Sequence, residues 1–123
     1  MPWYIRDILV YEGTVTIENI GEEVTVIELS NMSDYYMIVG FINLGSMSRG
    51  DELYVTEYID LGSGVYDRYI SARFSNEQRD PLVLITPKYF TSNDRYKLTV
   101  KQTSGVPLTI SYKILVFIYE QTT

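Results

Sequence analysis

The sequence predicts an all-β protein, an antiparallel β-sandwich of eight or nine strands, and three observations carry that prediction. Thirteen Ile, eleven Val and eleven Thr stand against a single Ala, Ala72. Branched side chains fit a pleated surface and lose χ1 freedom in a helix. Gly, Asn, Asp and Pro punctuate the chain every 8–14 residues, the spacing of short strands joined by turns. Between these breaks several segments alternate apolar and polar residues with period two, as a strand with one buried and one wet face does.

The elements follow in order. Residues 4–11 and 14–20 are two strands, broken at Glu12-Gly13 and ended at Ile20-Gly21, with glycine supplying positive φ at both turns. Residues 23–30 run to Asn31-Met32-Ser33-Asp34, an Asx-rich turn. Tyr35–Asn43 comes next, then residues 52–59, where Leu53, Val55 and Ile59 oppose Glu52, Tyr54, Thr56 and Tyr58. Leu61-Gly62-Ser63-Gly64 turns the chain into residues 66–74. There Ile70, Ala72 and Phe74 face one way, and Asp67, Tyr69, Ser71 and Arg73 the other. Residues 82–85 form a short strand, and Ser92-Asn93-Asp94 turns into residues 96–102, which carry Lys97, Thr99 and Lys101 on their wet face. Ser104-Gly105-Val106-Pro107 leads into the last strand, residues 108–120.

Two segments break the alternation. Tyr35-Tyr36-Met37-Ile38-Val39-Gly40-Phe41-Ile42 is apolar on both faces, and so is Ile114-Leu115-Val116-Phe117-Ile118-Tyr119. The last strand nonetheless begins with clean alternation, Leu108, Ile110 and Tyr112 against Thr109, Ser111 and Lys113. Its greasy half needs a cover. Either the N-terminal segment, residues 3–10, lies over it, or another subunit does, since a large apolar patch marks an interface.

With 123 residues, the chain is expected to form one domain over 1–123. It has no Cys and no His, which excludes disulfides, thiolate nucleophiles, the usual zinc sites and every Ser-His or Cys-His mechanism. No apolar run reaches the length of a membrane-spanning helix. Met1-Pro2-Trp3-Tyr4-Ile5-Arg6-Asp7 shows no signal peptide, so synthesis in the cytoplasm is expected.

The net charge of −6 argues against nucleic-acid binding by counterion release. Charge is also uneven, −9 over residues 1–65 and +3 over residues 66–123. Interleaved strands would pair these charges internally. Left unpaired, they would make a dipolar surface that steers like copies together.

The residues offer little chemistry. Glu28, Glu57 and Glu120 lie in β runs and read as strand-end or rim glutamates that guard against edge aggregation. Asp51-Glu52 and Ser92-Asn93-Asp94 lack the spaced ladder of a calcium loop and read as turns. Gly62-Ser63-Gly64 precedes a strand and so lacks a helix N-terminus for phosphate. No catalytic, cofactor or metal site is expected. Twelve Tyr remain, of which Tyr54, Tyr58 and Tyr69 fall on outer faces. They suit a sandwich surface, a subunit interface or a sugar-stacking platform.

The chain resembles the single jelly-roll capsid proteins of icosahedral archaeal viruses. The likeness rests on the strand number, the Cys-free, Ile- and Tyr-rich composition, and the final pair, Tyr96-Lys97-Leu98-Thr99-Val100-Lys101-Gln102 and Thr109-Ile110-Ser111-Tyr112-Lys113-Ile114-Leu115-Val116-Phe117. It implies a single jelly roll that self-assembles in a virion, with copies of itself and other virion proteins as partners. Such proteins often carry a basic N-terminal arm, whereas here Arg6 is the sole base before Arg49. That departure implies an inner contact with membrane or protein and none with naked nucleic acid. Leu115, Phe117 and Tyr119 are the leading interface residues, with Tyr54, Tyr58 and Tyr69 second. The competing reading is a carbohydrate-binding or receptor-binding sandwich, like a fibre head.

Overall fold

The computed structural model describes residues 2–121. Its strands are β1 (Trp3–Thr16), β2 (Glu23–Leu29), β3 (Tyr35–Asn43), β4 (Glu52–Asp60), β5 (Asp67–Ser75), β6 (Leu82–Phe90), β7 (Arg95–Ser104) and β8 (Thr109–Gln121). They form two four-stranded sheets, sheet I in the order β1-β8-β3-β6 and sheet II in the order β2-β7-β4-β5. Every neighbouring pair is antiparallel. Two sheets of four, with most connections crossing between them and the first strand beside the last, make a jelly roll.

Two expected boundaries move. Glu12-Gly13 does not turn: β1 passes straight through it, and Gly13 pairs with Tyr112 in an unbroken ladder to β8. Gly13 is not among the positive-φ glycines, whereas Gly21 is, at 91°. Residues 4–16 therefore belong to one strand, and eight strands replace nine. The strand expected to end at Ile85 continues through Pro87 to Phe90. Sheet I ends at β6, and an edge strand tolerates a proline that cannot donate to a ladder.

The core lies between the sheets. Ile38, Ile42, Ile114 and Val116 of sheet I meet Leu53, Leu98 and Val100 of sheet II, all nearly sealed from solvent. Tyr36 and Tyr96 are buried with them, and each phenol has a partner. Tyr36 Oη donates to the Asp94 carbonyl at 2.8 Å and Tyr96 Oη to Glu57 at 2.5 Å. Phe90 bridges their rings, with centroids 5.1 and 6.0 Å away. At the centre of sheet I, Gly40 is required by close approach. A Cβ there would strike the Lys113 carbonyl and stand 2.8 Å from the Ile114 Cα.

Polar side chains lock the loops. Gln102 sits on the core parity of β7 among apolar neighbours and is fully buried. Its amide donates to the carbonyls of Ser104 and Val106 and accepts from the Leu108 N–H, clamping the β7–β8 turn. Asp60, also buried, accepts from the N–H groups of Gly62, Ser63 and Gly64 and pairs with Arg95 at 2.7 Å. The Gly62-Ser63-Gly64 loop thus cradles the chain's own carboxylate. Part of the uneven charge is absorbed internally. Glu12–Lys113, Glu52–Arg73, Glu57–Lys88 and Asp60–Arg95 each join an acid of the first half to a base of the second.

Candidate interaction surface

Leu115, Phe117 and Tyr119 project from β8 on the face of sheet I that points away from the core, while Ile114, Val116 and Ile118 point inward. The N-terminal segment does not lie over them. It pairs beside β8 as the edge strand β1, with Ile5 opposite Tyr119, Ile8 opposite Phe117 and Val10 opposite Leu115. The N-terminal segment therefore widens the apolar face and does not cover it. Ile8 and Val10 remain about half exposed, at 49 and 52 %. On the other flank β3 sets Tyr35, Met37 and Val39 opposite the same three residues. Beyond it β6 adds Tyr89 opposite Met37 and Leu84 opposite Phe41.

This face is apolar across four strands. Its charged pair, Glu12 and Lys113, stands at one end, beyond Val10 and Leu115. Strands about 4.8 Å apart, rising about 3.3 Å per residue, give four nine-residue strands a plane of roughly 600 Å2. At one corner Trp3 stacks on Tyr35 at 4.7 Å. Together with Tyr89 and Tyr119 these rings line a cavity of about 280 Å3. The exposed residues of β1 are the part the sequence reading missed, because Ile5, Ile8 and Val10 look like core residues until β1 is known to be an edge.

Sheet II is the opposite in character. Its outer face carries ladders of polar residues: Lys101 faces Glu23 and Tyr54, Thr99 faces Thr25 and Thr56, and Lys97 faces Glu28 and Tyr58. Tyr54 and Tyr58 share this face, as expected, and line a groove of about 400 Å3 with Arg68, Lys101 and Glu23. Tyr58 and Thr99 donate to Glu23 at 2.6 and 2.5 Å, which holds its carboxyl below its ordinary value. Lys97 sits over the rings of Tyr58 and Tyr66, at 5.0 and 4.8 Å. Burial, reinforced by the bond to Glu28, raises the Tyr66 phenol to about 12.

Tyr69 joins neither group. A register slip between Glu57 and Tyr58 leaves it as the extra residue of β5, between Arg68 and Ile70. It lines the groove between the open edges of the two sheets, its ring 5.5 Å from the Lys88 ammonium.

Lys88 leads to a site the sequence reading misplaced. Glu28 and Glu120 are exposed, as rim glutamates should be, but Glu57 is buried. It accepts from Tyr96 and pairs with Lys88 at 2.8 Å. Lys88 points inward from the edge strand β6 and also donates to the carbonyl and hydroxyl of Thr86. The parity of Glu57 with Leu53 and Val55 was the available signal. Its inward-facing cation was not visible, because residue 88 lay beyond the expected end of its strand.

Several carboxylates make stability depend on pH. Asp60, despite burial, is lowered by Arg95 and the loop N–H groups, and Glu23 and Glu52 are lowered by hydroxyl and Arg73 contacts. A lowered folded-state value gives stability that is present above the unfolded value and lost as pH falls through the folded one. Thermal melts are therefore expected to hold from neutrality to about pH 5 and to fall steeply below the ordinary values of 4.5 and 3.8. Asp60→Asn should weaken the fold at pH 7 and shrink that acid decline; an unchanged decline would show that Asp60 does not contribute to it.

No protein-family model matches the chain, and no curated protein does. Solved structures do match. The chain superposes over 93 % of its length on a chain from the infectious bursal disease virus Gx strain, at a TM-score of 0.53 and 15 % identity. It also superposes over 93 % of its length on a chain of the VP2 subviral particle of that virus, at 0.51 and 14 %. It spans about a third of those chains, 33 and 34 % respectively. At such identities the likeness is one of fold, the two-sheet sandwich that these viral particle proteins share with this chain.

Proposed function

We propose that the chain, acting as a single domain over 1–123, is a self-assembling structural protein of a virion. It would be a capsid component that associates through the outer face of sheet I. The observation that carries this reading is that face itself, four strands wide, largely apolar and uncovered by any of the described residues. An exposed apolar patch on a monomer typically reaches about 300–600 Å2. Here the flat plane alone comes to roughly 600 Å2, and side-chain relief brings it near the about 800 Å2 per partner of a standard interface.

The occupant is a second copy. Sheet faces pack about 10 Å apart, as they do inside the sandwich, and a two-fold arrangement needs no second surface. Burial supplies the drive, and the Glu12–Lys113 charges at one end of the face set register. Leu115, Phe117 and Tyr119 lie at its centre, with Ile8 and Val10 as its most accessible part. Other virion proteins complete the shell, and an internal membrane is the alternative occupant. The resemblance to archaeal capsid proteins points to an icosahedral virus of archaea, with the protein made in the host cytoplasm and working without cofactor or catalysis. The net charge of −6 speaks against direct genome contact.

Sedimentation velocity and electron microscopy test the proposal. The wild type is expected to sediment as a dimer or larger assembly at micromolar concentration. Ile8→Glu with Val10→Glu should give a monomer with a melting temperature within a few degrees of wild type, because both side chains already face solvent. A monomeric wild type at high micromolar concentration would sink the reading. Flotation of that monomer with lipid vesicles would reassign the face to a membrane.

A further inference from the structure

Sheet II presents a second surface that assembly through sheet I leaves open. Of the ten Lys and Arg, five are in ion pairs: Arg6, Arg73, Lys88, Arg95 and Lys113. Among the described residues Arg49, Arg68, Arg79, Lys97 and Lys101 form no such close ion pair, although Lys97 and Lys101 lie opposite Glu28 and Glu23. Three of these, Arg68, Lys97 and Lys101, stand on the outer face of sheet II, and Arg68 and Lys101 line its groove of about 400 Å3. Three of the five cations outside close ion pairs therefore share this one face, interleaved with Glu23 and Glu28.

The lining narrows the ligand class. Between the two cations the floor carries hydroxyls, with Tyr54, Thr56 and Ser71 among the lining residues. Thr56 and Ser71 bond each other at 2.8 Å, while Tyr54 keeps a phenol beside Lys101. Glu23, already holding two hydroxyl donors, gives the groove an acceptor as well. Arg68 stands opposite Tyr58 on one side of β4 and Lys101 opposite Tyr54 on the other. Four residues along and two strands across put their backbones roughly 16 Å apart. The volume is at the lower end of the range for small-molecule sites, about 300–1,000 Å3.

We infer that this groove binds an acidic oligosaccharide, its carboxylates or sulfates held by Arg68 and Lys101 and its sugar hydroxyls by the floor. Spaced cations suit a chain with more than one acidic group. A mixed floor of hydroxyl donors and acceptors suits vicinal diols, and the rings of Tyr54 and Tyr58 offer stacking surfaces. A nucleic acid fits less well, because its backbone offers few hydroxyls to a floor of hydroxyl donors and acceptors. This inference does not depend on the assembly reading, since the two faces lie on opposite sides of the sandwich.

The test is binding of defined sugars to the full-length protein by biolayer interferometry. The probes are a heparin-derived hexasaccharide for sulfate and an oligogalacturonate for carboxylate, with maltohexaose as the neutral control. The wild type is expected to bind one or both acidic probes and not the neutral one. Arg68→Gln with Lys101→Gln should weaken that binding at least tenfold. Arg49→Gln with Arg79→Gln, the same charge change elsewhere, should leave it within twofold. Tyr54→Phe should weaken it severalfold with an unchanged melting curve. No binding to either acidic probe at millimolar concentration would overturn the inference. So would equal losses from the two double variants, or equal competition by a single-stranded DNA 20-mer.

Discussion

Glu57→Ala is expected to destabilise the protein by about 3–5 kcal/mol, the usual result of removing one partner from a buried ion pair. The residue is 7 % exposed and receives both the Tyr96 phenol and the Lys88 ammonium. Its removal strands a cation whose remaining bonds run to Thr86, and a phenol that burial has already pushed far above its ordinary value. The informative comparison is the double variant Glu57→Leu with Lys88→Met. Replacing both charges with apolar groups of similar size should recover most of the loss. Chemical denaturation measures both. A double variant as unstable as the single one would mean that Lys88 is needed for itself, as the inward charge that keeps the edge strand β6 from pairing with a neighbour.

Gln102→Leu is the second large effect. The substitution keeps the volume and apolar fit but removes three hydrogen bonds, two to turn carbonyls and one from the Leu108 N–H. Each buried polar group left without a partner costs about 1–3 kcal/mol, so a loss of roughly 2–4 kcal/mol is expected. For a domain of this size that is a fall in Tm of roughly 10 °C. Hydrogen exchange should localise the damage, because Leu108 lies where the chain enters β8 and its N–H would lose protection first. A uniform loss of protection would point instead to general core damage.

Legibility in the sequence followed a physical divide. Where one face is wet and the other dry, as in β4 and β7, alternation marked strand and parity at once, and Tyr54 and Tyr58 were placed on the correct surface. The turns at Asn31 and Asn93 were equally plain, and both residues adopt positive φ, at 60° and 72°. Alternation was silent on order. Nothing in β1 announces that its partner is β8, so Glu12-Gly13 passed for a turn and the N-terminal segment stood beside another subunit as a candidate cover. Pro87 hid the second half of β6, because a proline ends a strand everywhere except at an edge. That loss concealed Lys88, and with it the reason a glutamate can stand among Leu53 and Val55. The apolar face was half legible: β3 and β8 showed grease on both sides, but its width depended on a neighbour more than a hundred residues away.

The position of β8 also sets a timetable. Sheet I is ordered β1-β8-β3-β6, so the last of these eight strands to be synthesised is the one that joins β1 to β3. Trp3 must wait for Gln121 before its ladder can form. Until then β1 has no neighbour in its sheet, and pairing over such a separation is slow. The apolar face therefore does not exist on a nascent chain. It is completed only when β8 joins, in the same step that brings Ile114 and Val116 into the core beneath it. A chain truncated before β8 would expose loose apolar strands and not a finished docking surface. Competence to associate thus comes only once β8 is in place, a form of quality control written into strand order.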